Sequence, residues 1–435
     1  METGEDAYYR LDNSAVFMAA IANAAGPFVY RLSCTFTEIV RLPELQAALE
    51  ALYPRFPFLF VALRRGVFWH YLDPIPRPPK VEKEAPAGCR RIPYRPGQPL
   101  VRIVAFGPRI ACEFHHVVTD GFGASTFIRA LAVEYLRRLG YGAEMAEESF
   151  AGLPRPGEAV GEGEDEDSYA RYFRSRATVP DRTPKAFLIP GARTLLEYRE
   201  TIGFVNLDSI LAAAKGKQAT VTEFLAAIHI AVLQDLYEAQ TPAKRRWSRT
   251  AISVQVPVNL RKIYPSKTLR NFFLFAAPSI DVRLGHWDFD EILRRVHHQL
   301  RLGMEEKELV RQLKRNVGAE KKIISRPIFL PVKNILLRII NLLIGVGAYS
   351  GSLSNLGAFM VPSPLEDHIR CFSLLPSRAF STGTNVGLLS WKNELIITFG
   401  SQLRDRSFER LFFSRLASFG LGASVVSSQD WDGGS

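Results

Sequence analysis

The chain has 435 residues, 47% of them hydrophobic, which is enough apolar material for a sizeable core and excludes a disordered or fibrous protein. Its formal net charge of +11 points to an anionic partner: nucleic acid, a membrane surface or a phosphate-bearing small molecule. Nucleic acid drops out, because no recognisable module of clustered basic and aromatic residues is found.

The four cysteines (Cys34, Cys89, Cys112, Cys371) are scattered, with no metal-ligand spacing. Cys34 and Cys112 fall in strand-like runs and read as small buried residues, which fits a reducing compartment. The N-terminus is acidic, unlike a secretory leader. The most apolar stretch, Ile328 to Val346, carries Pro331, Lys333, Asn334, Arg338 and Asn341, a poor match to the roughly 20 apolar residues of a bilayer span. A cytoplasmic protein is the expectation, with peripheral membrane contact left open.

Leu11 to Ala24 reads as a helix capped by Asp12 or Asn13. Phe28 to Ile39 reads as a strand, and Pro43 to Leu52 as a short helix with its proline near the start. Phe58 to Leu63 and Val67 to Leu72 are expected to form a hairpin around Arg64-Arg65-Gly66. Leu100 to Phe106 and Ile110 to Val117 are two further strands, and a helical pattern runs from Gly121 to about Arg138. The acidic run Gly161 to Asp167 reads as a solvated linker or surface loop. The expected organisation is an N-terminal subdomain over residues 1–160, a linker over 161–190, a C-terminal subdomain over 191–422 and a disordered tail over 423–435.

In the second half, strands are expected at Tyr198 to Val205, Ala251 to Val256 and Phe272 to Val282. Thr220-Val221-Thr222-Glu223 is a capping-box pattern opening a long apolar helix, and Phe289 to about Leu313 reads as another helix. Apolar residues from Val332 to Leu343 fall at helical spacing with basic residues interspersed. Two readings stay open there, a surface that meets lipid or an acyl substrate and a helix packed on the domain. Three strands (Ile369 to Leu375, Val386 to Trp391, Leu395 to Gln402) and a helix over Ser407 to Ser418 close the chain.

The chemistry concentrates in Cys112-Glu113-Phe114-His115-His116-Val117-Val118-Thr119-Asp120-Gly121, a strand that turns directly into a helix. Strand alternation puts His116 on the face of Cys112 and Phe114, and His115 on that of Glu113, so the pair is not a natural metal site. An imidazole at a strand end can take up and return a proton near neutral pH. Asp120 has two compatible jobs, capping the helix that starts at Gly121 and locking the histidine-bearing turn. His297-His298 repeats the doublet, but Leu302 stands where the aspartate would be, and it reads as a solvated helix face.

His115-His116-Val117-Val118-Thr119-Asp120-Gly121 resembles the active-site signature of coenzyme-A-dependent acyltransferases, the superfamily of chloramphenicol acetyltransferase, alcohol acetyltransferases and condensation domains. Tyr53-Pro54-Arg55-Phe56-Pro57-Phe58-Leu59 is similar to an early arginine-bearing motif of condensation domains, although the histidine after that arginine is Phe56 here. Arg270-Asn271-Phe272 is similar to the element after the family's crossover strand, and Ser352 to Gly357 resembles a Ser-Asn-Leu-Gly segment of stand-alone alcohol-acetyltransferase-like proteins. The plant branch's Asp-Phe-Gly-Trp-Gly signature is absent.

The resemblance implies an α/β (α+β) protein of two chloramphenicol-acetyltransferase-like subdomains, packed as a pseudo-dimer around an active-site tunnel. It implies an acyltransferase in which His116 is the general base, and Asp120 pairs with Arg55 as a structural lock. His115 and Gly121 are motif neighbours, and Asn271 and Ser354 are candidate oxyanion donors. The donor is an acyl-CoA or a phosphopantetheinyl acyl-carrier protein, acting as co-substrate, and the acceptor is an alcohol or amine. No metal or bound cofactor is expected. The loop bearing Arg261-Lys262, Lys267 and Arg270 is a candidate contact for the donor's phosphates. Two alternatives stand beside this: a stand-alone condensation domain acting on carrier-bound substrates, and a non-catalytic lipid- or peptide-binding relative.

Overall fold

Period-two alternation of apolar residues makes the strands of the first half, and side-chain caps from Asp12, Asp120, Asp167, Asn206, Thr220 and Asp288 open six of the helices. The computed structural model describes residues 8–84, 88–142, 150, 152–173, 184–194, 197–314, 328–378, 382 and 384–427. The first half runs β1 (Tyr9–Arg10), α1 (Asn13–Ile21), β2 (Val29–Phe36), α2 (Leu42–Leu52), β3 (Val61–Arg65), β4 (His70–Pro74), β5 (Glu82–Lys83), β6 (Val101–Phe106), β7 (Arg109–His115) and α3 (Gly121–Arg138). Then come α4 (Ser168–Tyr172), β8 (Arg199–Asn206), α5 (Leu207–Gly216), α6 (Val221–Glu238), α7 (Pro242–Arg245), β9 (Ala251–Asn259), β10 (Phe273–Ala276), β11 (Ser279–Asp281) and α8 (Phe289–Gly303). The last part carries α9 (Leu330–Ile340), β12 (Gly351–Ala358), α10 (Ser363–Glu366), β13 (Ile369–Leu375), β14 (Thr384–Trp391), β15 (Glu394–Ser401), α11 (Ser407–Ser418) and β16 (Ala423–Ser427).

Two large sheets, one per half, give the expected mixed α/β architecture. The first has strand order β13-β2-β7-β6-β5, and the second β10-β9-β12-β14-β15-β8-β16 with β11 also on β9. Both are mostly antiparallel, with β12 parallel to β9 and β14. Helices α2 and α3 cover the first sheet through apolar stripes such as Leu45, Ala48, Leu49 and Leu52, each a burial that contributes about 1–3 kcal/mol. Helices α6, α8 and α11 cover the second sheet. The capping boxes of α6 (Thr220 with Glu223) and α8 (Asp288 with Glu291) are both closed.

Several expectations need correction. Strand β13, expected in the C-terminal subdomain, pairs with β2 and so completes the N-terminal sheet. The small-residue segment Ser352 to Gly357 lies within β12, which inserts into the middle of the second sheet. The hairpin turn falls at Gly66–Trp69, because Arg64 and Arg65 are paired with Tyr71 and His70. Residues Ala423–Ser427, expected to begin a disordered tail, form β16 on the edge of β8, and the rest of that tail lies outside the described residues. The acidic run is not a free linker either: carbonyls of Glu164 and Glu166 accept from Leu269 N and Thr268 Oγ1 at 2.7 Å each.

Candidate active site

The site is assembled where the end of β7 meets the segment leading into β10. His115, the last residue of β7, is fully buried. Its Nδ1 accepts the Val117 N–H at 3.1 Å, which leaves Nε2 protonated to face the Tyr94 hydroxyl at 2.9 Å. Both nitrogens are committed, so His115 is packed into the turn and holds it. His116 is half-buried, on the opposite face. Its ring lies 4.3 Å from that of Tyr30, which in turn stacks on Phe114, so the expected alternation along the strand is observed.

Burial pulls the His116 pKa down to about 4, against the Asp120 charge, the Asn271 side chain and the Thr119 backbone, which favour the charged ring. The imidazole is therefore neutral at pH 7. Its Nδ1 is enclosed and has no hydrogen-bond partner, and the same holds for Asn271 Oδ1. The backbone of His116 is clamped at both ends: its N–H donates to Phe28 O at 2.8 Å, and its carbonyl accepts from Asn271 Nδ2 at 2.7 Å.

Asp120 is buried and all its acceptor capacity is used. Oδ1 caps α3 by accepting from Phe122 N at 3.0 Å and Gly123 N at 3.3 Å. Oδ2 accepts from Phe272 N at 2.9 Å and Arg261 Nη1 at 2.8 Å. The carboxylate is thus both cap and lock, and none of it points at a reacting group.

The partner in that lock is Arg261, not Arg55. Arg55 forks onto Glu164 of the acidic run, with Nη1–Oε2 at 2.6 Å and Nη2–Oε1 at 2.8 Å. Arg261 sits in a short turn after β9, stacks at 4.7 Å over Phe122 and donates to Thr268 O at 2.7 Å. Arg270 is buried beside Asp12 and donates to Arg10 O and Asp165 O. Arg261 and Arg270 are therefore structural, which removes them from the expected phosphate contacts. Lys262 and Lys267 of the same loop remain exposed.

Asn271 also changes role. Its two N–H bonds go to His116 O and, at 3.0 Å, to Asp12 Oδ2, so it has no donor left for an oxyanion. Asp12, the cap of α1, is a site residue that sequence reasoning treated only as a cap, and burial raises its pKa to about 6. Ser354 lies on β12, two residues before Leu356, whose Cδ2 is 2.4 Å from where a Cβ on Gly121 would stand. Gly123 is tighter still: a Cβ there would fall 2.0 Å from Leu269 O, the carbonyl that accepts from Thr119 Oγ1 at 2.6 Å. Among the described residues no group of His, Cys, Asp and Glu is arranged to hold a metal ion.

No family model matches the chain, and no curated protein matches it. Solved structures do. The TRI3 trichothecene 15-O-acetyltransferase from Fusarium sporotrichioides is 12% identical with a TM-score of 0.57, over 94% of both chains. The X-domain from teicoplanin biosynthesis is 13% identical with a TM-score of 0.53, over 96% of both chains. A nonribosomal peptide synthetase, FmoA3, matches at 14% identity and a TM-score of 0.60 over 95% of this chain and 42% of its own. The fold is that of the coenzyme-A-dependent acyltransferases and condensation domains. Within this acyltransferase and condensation fold, the strand–turn–helix carrying His116 comes from the first half, and the residues that brace it, Arg261, Asn271 and Phe272, come from the second. His297 and His298 lie on α8, with His297 Nδ1 3.2 Å from Glu223, away from the His116 turn in the chain's second core.

Proposed function

We propose that the protein is an acyltransferase that moves an acyl group from a thioester donor to a hydroxyl or amine acceptor, with His116 as general base. The observation that carries this is the neutral, half-buried imidazole on a turn clamped by Phe28, Asn271 and the four-fold-bonded Asp120. With Nδ1 enclosed, Nε2 is the nitrogen left to take the acceptor's proton as its oxygen or nitrogen attacks the thioester carbonyl. The tetrahedral intermediate expels the thiolate, which recovers the proton from the imidazolium. Asn271 holds the histidine backbone, and its side chain favours the charged ring that this step creates. Ser354 is the remaining proposed oxyanion donor.

Lys262 and Lys267, exposed on the loop that follows β9, are the proposed contacts for the phosphates of an acyl-CoA or carrier-bound donor. The proposed setting is a reducing cytoplasm, a reading that the four free, buried cysteines support. A second reading, condensation of carrier-bound substrates, is favoured by the similarity to the condensation domain from the Monacolin K polyketide synthase MokA, 11% identical with a TM-score of 0.54.

The test is thiol release from acetyl-CoA and longer acyl-CoAs against a panel of alcohols and amines, repeated with an acyl-carrier protein as donor. His116→Ala should lower the rate at least about 100-fold, the usual contribution of a general base. Release that is equal in wild type and His116→Ala would overturn the mechanism, and release only when the acceptor too is presented on a carrier protein would select the second reading.

A further inference from the structure

Helix α9 is built inside out. Its exposed face is dominated by aliphatic side chains, with Val332, Ile335, Leu336, Ile339, Ile340 and Leu343 (just past its end) each between 37% and 68% exposed. A helix on a water-facing surface normally shows the reverse pattern. Its two cationic side chains differ: Lys333 is buried and donates to Phe68 O at 2.9 Å, whereas Arg338 is exposed at the edge of the ridge while its Nε donates to Ala20 O at 3.0 Å. Leu337 packs with Ala20 and Ile21 of α1, and Leu330 N donates to Val67 O at 2.9 Å, so the helix is moored on two sides.

That mooring extends the apolar ridge. Val67 and Trp69, at the tip of the β3–β4 hairpin, are exposed beside the helix start, as is Phe329. Arginines border the ridge. Arg65 and Arg338 line a depression of about 390 Å³ along the first turns of α9, and Arg91 and Arg338 line one of about 320 Å³ toward its end.

We infer that α9 and the tip of the β3–β4 hairpin form a docking surface for an anionic lipid membrane, lying in its interface without spanning it. A convex aliphatic ridge with an indole at its edge and arginines at its base matches the layering of such an interface, apolar inward and charged at headgroup level. The charge decides between occupants. Two copies of a chain carrying a net +11 would bring their arginine borders together, whereas anionic headgroups meet them with opposite charge. Among the described residues no single helix is long and apolar enough to cross a membrane, so the contact is peripheral.

The test is co-sedimentation of the full chain with phosphatidylcholine vesicles, with and without phosphatidylglycerol, over a range of salt. Binding to the anionic vesicles should exceed binding to pure phosphatidylcholine by roughly tenfold and weaken as salt rises. Ile335→Asp combined with Leu343→Asp should reduce it by about tenfold or more while the circular dichroism and melting temperature stay unchanged. Arg65→Glu with Arg91→Glu should abolish the preference for anionic vesicles. No binding, or equal binding to both vesicle types, overturns the inference. So does a concentration-dependent dimer in sedimentation velocity that Ile335→Asp disperses, which would assign the ridge to a second copy.

Discussion

At His116 two influences oppose one another, and burial prevails over the charge of Asp120, which sets the ring near pKa 4. The active form is the free base, present above that value. The acid limb of kcat/KM should therefore fall near pH 4, and a limb at the ordinary histidine value of about 6.5 would contradict the burial seen here. The Asp120–Arg261 pair is enclosed, with side-chain exposures of 7% and 6%. Asp120→Ala leaves a buried guanidinium without its carboxylate and should cost about 3–5 kcal/mol in urea unfolding. Arg261→Ala should be of similar size, and the double variant should cost less than the sum by about 1 kcal/mol or more. Strictly additive losses would mean that the pair is not a lock. Asp120→Asn keeps an acceptor for the α3 cap, so it should fall between wild type and Asp120→Ala.

Among the elements, the acidic run shows how far a charged segment can be from a solvated linker. Its backbone carbonyls hold Thr268 and Leu269, and Glu164 holds Arg55 of the first half in a fork. The run thereby ties the turn after α2 to the segment that carries Asn271. Glu164→Gln should destabilise the protein by about 1–3 kcal/mol, the range for a hydrogen bond to a charged group. A solvated linker would show a change within about 0.5 kcal/mol, so denaturant titration separates the two. A second brace lies across the first sheet, where Glu113 binds Arg31 at 2.8 Å and also pairs with Arg102. Burial opposes the charge on Glu113, yet the two arginines hold its pKa below the usual carboxylate value.

For the molecule as a whole, burial keeps four histidines neutral: His70 and His116 near pKa 4, His115 and His229 near 3. The unfolded chain takes protons on these rings from about pH 6.5 downward while the folded chain does not, so their contribution is intact above about 6.5 and is lost as pH falls toward 4. Asp12, raised to about 6 by burial, works the other way and is outnumbered. His229 separates this effect from catalysis, since its two ring nitrogens are without partners in the core against Phe408 and Phe412. His229→Leu should flatten the fall in stability over this range by about one proton, read from melting temperature against pH, and an unchanged slope would refute the assignment. The histidine pair, its strand–turn–helix setting, the Asp120 cap and the capping boxes were legible in the chain, because alternation and caps depend on neighbours a few residues apart. The partner of Asp120 was not. Arg55 and Arg261 are both arginines in short turns, and only the crossing of the two halves brings one of them, 141 residues away, onto the carboxylate. The same reason hid the placement of β13 in the first sheet and the strand made from Gly351–Ala358. Their pairing is set by register with distant strands, while their own residues, small in the one case and apolar in the other, fit more than one neighbour.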